Sequence, residues 1–191
     1  MGRAAKDLDR LSGGKLSPNM VTITGLLAHI PIAWLIATNQ YVLAAILLII
    51  FGLFDTLHGA LARYQKRDSA NGMLLDASTD RFKEVMLYCG VAFSFISTNK
   101  AYFAVWAVAA CGASLCVSYV KAKGETAVAK SKLTTSEVNR LFQDGFLRFE
   151  VRMFLLVIGL LFNVLSPVIV AIAILSGLTA IDRLVKISKK I

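Results

Sequence analysis

The feature that most constrains the fold is an uninterrupted apolar run, YVLAAILLIIFGLF, at residues 41–54. A helix that crosses a bilayer needs about 20 mainly apolar residues, because its backbone finds no water there to hydrogen-bond. The run extends into such a helix at residues 41–61. Apolar residues make up 57% of the chain and charged residues only 17%, whereas soluble domains have about 45–50% apolar residues. We therefore expect an integral membrane protein.

Six apolar segments are predicted as transmembrane helices. Short connections at 39–40, 98–100 and 166–167 predict that the segments they join form antiparallel hairpins. Residues 121–140 are expected to form a mobile, solvated loop. The fifth segment is expected to begin nearer to Arg148 than its apolar part does. The segments are residues 19–38, 41–61, 82–98, 101–120, 153–166 and 167–185.

The distribution of lysine and arginine predicts the orientation. Of the 21 basic residues, 20 fall on one side of the predicted topology, and only Lys100 falls on the other. Lys83 is counted among the basic residues that lie between the second and third segments. Because cytoplasmic loops carry an excess of basic residues, both termini are placed in the cytoplasm. Basic loops facing anionic lipid then explain the net charge of +9 better than nucleic acid binding does.

The first sixteen residues form a separate juxtamembrane segment in this prediction. The sequence AAKDLDRLS at 4–12 has the pattern of a short amphipathic helix on the membrane surface, and Ser17 and Pro18 begin the first span. Residues 17–191 are then one six-helix domain. The expected fold class is an all-α integral membrane protein with six transmembrane helices, a short N-terminal interfacial helix and both termini cytoplasmic.

Three carboxylates stand where the second predicted span ends and the next helix begins, within FDTLHGALARYQKRDSANGMLLDASTD at residues 54–80. Asp55 and His58 share one helix face, and Asp76 and Asp80 form a stripe on the next helix. If the two helices pack side by side, these groups converge. Clustered carboxylates repel unless cations neutralise them, and such oxygen ligands suit Mg²⁺, Mn²⁺ or Ca²⁺.

Two interpretations of this cluster differ in what neutralises the acids. In the first, divalent cations bind them, and the small residues Gly59, Ala62 and Gly72 let a phosphorylated ligand approach the helix backbone. In the second, the acids form ion pairs with nearby arginine and lysine side chains, and no ligand binds. Ion pairing does not require the small residues, so their spacing favours the first interpretation.

The same residues resemble the signature of the CDP-alcohol phosphotransferase family. That signature is Asp, two residues, Asp-Gly, two residues, Ala-Arg, eight residues, Gly, three residues, Asp, three residues, Asp. The family's second aspartate is His58 here, and SPNMVT at 17–22 also resembles the family's entry to its first span. The positions that match the signature are Asp55, Gly59, Ala62, Arg63, Gly72, Asp76 and Asp80.

The resemblance implies a membrane transferase of phospholipid biosynthesis that moves a phosphatidyl-type group from a CDP-linked lipid to an acceptor alcohol and releases CMP. It implies that Asp80 is the base that activates the acceptor hydroxyl. The positions implied to bind two divalent cations, Mg²⁺ or Mn²⁺, are Asp55, His58, Asp76 and Asp80. The residues implied to bind the nucleotide are Asn19, Thr22, Asp55, Gly59, Ala62, Arg63, Gly72 and Asp76.

His58 departs from the signature, and one of the two metals is expected to be weakened by it. Imidazole cannot bridge two ions as a carboxylate does, and it is a poor ligand for Mg²⁺. Three explanations stay open: an engineered inactivating change, a natural variant with altered metal chemistry, and a member that binds without catalysing. A small transporter with an acidic cation site is a further alternative, although transport does not require the Gly/Ala/Arg spacing.

The segments LLDASTDRF, SYVKAK and GFLRFEVR at 75–83, 118–123 and 145–152 resemble the branch of the family that makes phosphatidylinositol phosphate or archaetidylinositol phosphate. The implied acceptor is myo-inositol phosphate, with glycerol 3-phosphate as the alternative, and the implied donor is CDP-diacylglycerol or CDP-archaeol. The resemblance also implies a homodimer in the cell membrane. The cations expected to bind the phosphate of the acceptor are Lys121, Arg148, Arg152 and Arg183.

Overall fold

The structure is a computed structural model. It describes residues 6, 9, 10 and 13 near the N-terminus and the ranges 16–65, 67, 69–128 and 147–189. The regular secondary structure in this part of the chain is helical. The chain divides into two compact units, residues 1–94 and 95–191. The helices are α1 (Pro18–Ala37), α2 (Tyr41–Tyr64), α3 (Ala70–Ser97), α4 (Ala101–Val128), α5 (Phe149–Leu161) and α6 (Leu165–Ser188).

Most of the predicted N-terminal interfacial helix lies outside the described residues. Lys6, Asp9 and Arg10 are described, and each of them is helical. Asp9 accepts a hydrogen bond of 2.6 Å from the side-chain amide of Gln65. This bond links the N-terminal segment to the end of α2.

Among the described residues, α1, α2, α4 and α6 are each long and apolar enough to cross a membrane. The prediction of an all-helical fold is confirmed, and these four segments are candidate spans, while six membrane crossings with both termini in the cytoplasm stay a prediction. Helix α5 has 13 residues, which at 1.5 Å per residue span about 20 Å, less than the ~30 Å of a bilayer core. Exposed apolar side chains such as Trp34 and Tyr102 suit contact with lipid.

An asparagine in the left-handed conformation stands in each of the three short connections, which join α1 to α2, α3 to α4 and α5 to α6. Asn39, Asn99 and Asn163 have φ values of 64°, 57° and 55°, and asparagine tolerates this conformation at helix ends. The third turn corrects the predicted connection at 166–167. Pro167 lies instead in the first turn of α6, where its missing N–H has no helical partner to lose.

Two other helix ends also differ from the predicted ones. Helix α3 begins well before residue 82, because Ser69 precedes it and accepts a hydrogen bond of 3.1 Å from the backbone N–H of Gly72, as a helix N-cap does. Helix α4 continues through residues 121–128, so the first part of the predicted 121–140 loop is helical. The exposed pair Lys121–Glu125, at 3.8 Å, has the i,i+4 spacing that supports a helix. The remainder of that predicted loop lies outside the described residues.

In the second unit, α4 and α6 pack on each other through small side chains. Ala110 and Ser114 of α4 and Ser176 of α6 are fully buried. Helices α5 and α6 form a hairpin in which a Cβ on Gly159 would lie 3.2 Å from the side chain of Val168. Small residues let helix backbones approach closely where lipid supplies no hydrophobic drive for association.

In the first unit, α3 crosses α1 at Gly90. A Cβ on Gly90 would lie 2.5 Å from the carbonyl oxygen of Ala33, a separation that two such atoms do not tolerate. The backbones of the two helices therefore touch at this point, and the contact sets the distance between α1 and α3. Both helices border the site described below.

We expect Gly90→Ala to lower the thermal unfolding midpoint, because overpacking costs about 1–3 kcal/mol. The matched control is Gly52→Ala, also within a helix of the first unit, where an added Cβ meets nothing within 4 Å. Since alanine favours a helix over glycine by about 1 kcal/mol, the control should be neutral or stabilising. Circular dichroism melts in detergent measure both, and equal midpoints would contradict the close crossing.

Candidate functional site

The end of α2 and the beginning of α3 carry the residues of the signature. Both segments belong to the first unit. Helix α2 ends with Arg63 in its last turn, a favourable position for a cation near the negative end of the helix dipole. Helix α3 begins after the Ser69 cap, so that Asp76 and Asp80 lie within its first three turns.

The structure brings three carboxylates together. Asp55 of α2 and Asp76 and Asp80 of α3 each offer one oxygen, and these three oxygens lie within 4.8 Å of one another. All three residues are partly buried. Hard oxygen donors at this separation fit a divalent cation such as Mg²⁺ or Mn²⁺. His58 lies in α2, although its side chain is outside the described part of the structure.

A lysine that the sequence places among the loop cations lies inside this acidic cluster. The ammonium nitrogen of Lys83 is 2.7 Å from each carboxylate oxygen of Asp55 and 3.2 Å from Oδ1 of Asp80. The Lys83 side chain is only 1% exposed. Its spacing of three residues from Asp80, on one helix face, is the signal that could have identified it.

Arg81 and Glu84 lie beside the cluster. The guanidinium of Arg81 is 2.5 Å from Glu84 and 3.9 Å from Asp80, and Glu84 is fully buried. Arg81 therefore has a short contact with Glu84 and a long one with Asp80. Lys83 makes the shorter contacts with the acids.

The pKa of Asp80 is raised to about 6. Burial is the largest cause, and the negative charges of Asp55 and Asp76 add to it, while the charge of Lys83 acts in the opposite direction. A carboxyl group with this pKa exchanges its proton close to neutral pH. That property suits a group that must accept a proton.

We expect Mn²⁺ to bind about tenfold more weakly at pH 5 than at pH 7, because a proton and a metal ion compete for the carboxylate of Asp80. The sign follows from the raised pKa: protonation sets in as the pH falls through about 6. Titration calorimetry of the purified chain at several pH values measures the effect. Asp80→Asn should remove the pH dependence, and constant affinity of the native chain from pH 7 to pH 5 would contradict the expectation.

Helix α1 borders the cluster with its first two turns. A Cβ on Gly25 would lie 3.4 Å from an oxygen of Asp55, so the α1 backbone is adjacent to the acids. Asn19 of α1 lies beside the beginning of α3, since its Oδ1 is 3.5 Å from where a Cβ on Gly72 would stand. Thr22 is buried and donates a hydrogen bond of 3.2 Å to Pro18 O. The sequence interpretation missed Gly25. Its spacing of three residues from Thr22, which is itself three residues after Asn19, places all three on one face of α1 and could have identified it.

Arg63 folds back over the glycine of its own helix. Its Nη1 is 3.7 Å from where a Cβ on Gly59 would stand. Arg63 is exposed and Ala62 is half-buried. A guanidinium held against a side-chain-free stretch of helix can donate two parallel hydrogen bonds to a phosphate.

A group of arginines lies in the second unit. Arg152 and Arg183 are 1% and 5% exposed, and the positive charges of Arg152 and Arg148 both act on Arg183. Arg152 donates to Leu147 O at 2.9 Å. Positive charge is thus concentrated at Arg152, Arg183 and the nearby Arg148 in this part of the second unit.

Lys121, the fourth predicted cation of that set, differs from the arginines. Its side chain is 51% exposed and its ammonium group faces Glu125 of the same helix. Arg148, at the N-terminal cap of α5, is exposed as well. Buried positive charge in this group is therefore found at Arg152 and Arg183.

Three comparisons with known proteins agree. The family model for CDP-alcohol phosphatidyltransferase matches residues 15–181. The chain is similar to the archaetidylinositol phosphate synthase of Pyrococcus horikoshii, at 26% identity over 92% of this chain and 86% of that one. It is also similar to the phosphatidylinositol phosphate synthase of Cutibacterium acnes, at 29% identity over 65% of this chain. That match spans only 61% of the length of the Cutibacterium relative.

The fold is similar to a solved structure. The crystal structure of Mycobacterium tuberculosis phosphatidylinositol phosphate synthase (PgsA1) with CDP-DAG bound matches with a TM-score of 0.81 at 25% identity. The match covers 97% of this chain and 92% of that one. Since the family model covers the helices of both units and the whole signature from Asp55 to Asp80, the chain belongs to the CDP-alcohol phosphatidyltransferase family.

Proposed function

We propose that the protein transfers a phosphatidyl-type group from a CDP-linked lipid, CDP-diacylglycerol or CDP-archaeol, to myo-inositol phosphate and releases CMP. The observation that carries this proposal is the convergence of Asp55, Asp76 and Asp80 at the meeting of two helices. The names of the similar proteins, phosphatidylinositol phosphate synthase and archaetidylinositol phosphate synthase, support inositol phosphate as the acceptor.

Each side chain at the junction has a part in this proposal. When bound, a divalent cation supplies positive charge that neutralises the diphosphate of the donor. Asp80 takes the proton of the acceptor hydroxyl as the new oxygen–phosphorus bond forms and the bond to CMP breaks. Arg63 donates to a phosphate of the nucleotide, and Asn19 and Thr22 contact the nucleotide from α1.

Three glycines lie beside the acids and at the neighbouring helix ends. Gly25, Gly59 and Gly72 present no side chain from their helices. A Cβ at Gly25 would lie 3.4 Å from an oxygen of Asp55, so the α1 backbone stands directly beside this acid. We propose that these positions keep the space that the nucleotide occupies.

The arginine cluster is proposed to bind the phosphate of the acceptor. Arg152 and Arg183 are buried, and the charge of Arg152 acts on Arg183, so both guanidinium groups would attract an anion bound beside them. Arg148 and Lys121 complete the set as exposed cations that attract the acceptor. A guanidinium pair recognises a phosphate with more geometric specificity than lysine does.

The proposal extends to location and assembly. The apolar helices and the placement of basic residues support a multi-pass protein of the cell membrane, with the acids on the cytoplasmic side. We propose a homodimer as the assembly. Cross-linking in native membranes measures the oligomeric state, and a monomer under those conditions would contradict that part.

The experiment that tests the function measures CMP release by the purified full chain in mixed micelles of detergent and CDP-diacylglycerol. Inositol phosphate, glycerol 3-phosphate and no acceptor are compared, each with Mg²⁺ and with Mn²⁺. We expect metal-dependent CMP release with inositol phosphate alone. Faster release with glycerol 3-phosphate would identify the alternative acceptor, and equal release without acceptor would overturn transfer.

A second candidate function is a family member that binds the CDP-linked lipid without turning it over. Two observations favour it: His58 replaces an acid of the signature, and the Lys83 ammonium lies among the remaining acids. The variant His58→Asp separates the candidates. If His58 is a lesion, only the variant releases CMP; if the native chain already turns over as fast as the variant, the second candidate is wrong.

A further inference from the structure

The contacts of Lys83 identify an unusual charge in the acidic cluster. Its ammonium group lies 2.7 Å from both oxygens of Asp55 and 3.2 Å from Asp80, with the side chain 1% exposed. An ammonium group buried to this degree is stable only where carboxylates compensate the loss of water. Lys83 is therefore part of the charge balance of the site.

Counting the charges shows how many cations the cluster can hold. Asp55, Asp76 and Asp80 carry three negative charges when ionised, and one divalent ion together with the Lys83 ammonium neutralises them. Two divalent ions with the same ammonium would leave two uncompensated positive charges in a partly buried site, which is costly. The neighbouring Arg81 does not alter the count, because Glu84 lies 2.5 Å from it.

We propose that the site binds one divalent cation per chain, and that the Lys83 ammonium takes the place of the second. The count is for the chain without its donor, and the proposal rests on the proposed function for the ligand that this cation would meet, a nucleoside diphosphate lipid. It replaces the two-metal expectation from the signature. His58, which stands where the signature has a fourth acid, is consistent with it, because histidine brings no negative charge for a second ion to neutralise.

A simple withdrawal of Lys83 when metal binds is disfavoured by its surroundings. The side chain is almost wholly enclosed, and a Cβ on Gly25 of α1 would lie 3.8 Å from both its Cε and its Nζ. On this side, the ammonium group would have only the α1 backbone at Gly25 to move toward. Retention of Lys83 beside a single ion avoids the cost of an unpaired buried charge.

The test is the number of Mn²⁺ ions bound by the full chain in detergent, measured from the electron paramagnetic resonance signal of free Mn²⁺. We expect one ion per native chain. Lys83→Met should bind Mn²⁺ at least tenfold more tightly, because a nearby positive charge is lost. The double variant His58→Asp with Lys83→Met, which has four acids and no ammonium, should bind two ions.

The control is Lys100→Met, which removes an exposed lysine from the turn between α3 and α4 and should change neither number nor affinity. Circular dichroism checks that each variant is folded. Two ions or none on the native chain would overturn the proposal, as would a single ion on the folded double variant.

Separate measurement of CMP release distinguishes this proposal from the proposed function. One ion on the native chain without CMP release would support the charge count and contradict the catalytic function. CMP release by a native chain that holds two ions would support the catalytic function and contradict the charge count. CMP release by a native chain that holds one ion would support both the charge count and the catalytic function.

Discussion

Asp80→Asn is expected to reduce CMP release at least a hundredfold, because removal of a general base typically costs 10²–10⁴ in rate. Asparagine keeps the size of the side chain and one oxygen, so the packing of α3 is preserved. The pKa of Asp80 is raised, which means that its ionised form is disfavoured in the folded chain. The thermal midpoint of the metal-free variant at pH 7.5 should therefore not be lower than that of the native chain.

The stability expectation follows from the direction of that shift. A carboxyl group whose pKa is higher in the folded than in the unfolded chain favours folding when protonated, and this contribution is lost as the pH rises through about 6. Asparagine is neutral at every pH and avoids the loss. Activity and stability should thus move in opposite directions, which a general disruption of the site would not produce.

The matched control is Asp182→Asn. Asp182 is also a helical aspartate beside a lysine, since its carboxylate lies 2.7 Å from Lys186, but that pair is far more exposed. Its charge acts on Arg183, so the comparison is made at saturating inositol phosphate, where its removal should change CMP release less than threefold, since exposed pairs contribute about 0–1 kcal/mol. If Asp80→Asn retained CMP release within threefold of the native rate, Asp80 would not be the base.

The acidic cluster could be predicted from the sequence because helical periodicity acts over short distances. Asp76 and Asp80 had to share a face once the segment was helical, and the spacing of the signature brought Asp55 to the same end of its helix. Lys83 was missed for a physical reason. The rule that orients membrane proteins treats a lysine near a span as a solvated loop cation, whereas Asp80, three residues away, and Asp55 of α2 hold Lys83 inside.

Helix ends were predicted less well than helix interiors. Ser166 and Pro167 were assigned to a turn because proline interrupts helices, yet proline is tolerated in a first turn, and Asn163 supplies the left-handed residue instead. The extension of α4 past residue 120 was missed because charge was taken to mean a loop. Its length depends on local pairs such as Lys121–Glu125, which hydropathy does not register.

The second large expected effect is on the binding of the acceptor, and it concerns the buried arginines. We expect Arg152→Gln to raise the KM for inositol phosphate ten- to a hundredfold, because a hydrogen bond to a charged group contributes about 1.5–3 kcal/mol. The KM for the CDP-linked lipid should change less than twofold. Glutamine can still donate to Leu147 O, the backbone acceptor of the native guanidinium, so the fold should survive.

Inorganic phosphate provides a readout that does not depend on turnover. If the arginines bind the phosphate of the acceptor, added phosphate should raise the thermal midpoint of the native chain, since a ligand that binds the folded state stabilises it. Arg152→Gln should lose this response, whereas Lys100→Gln, at an exposed turn, should retain it. Relief of the repulsion on Arg183 should also keep the phosphate-free midpoint of Arg152→Gln close to that of the native chain. An unchanged KM together with an unchanged phosphate response would remove Arg152 from the acceptor site.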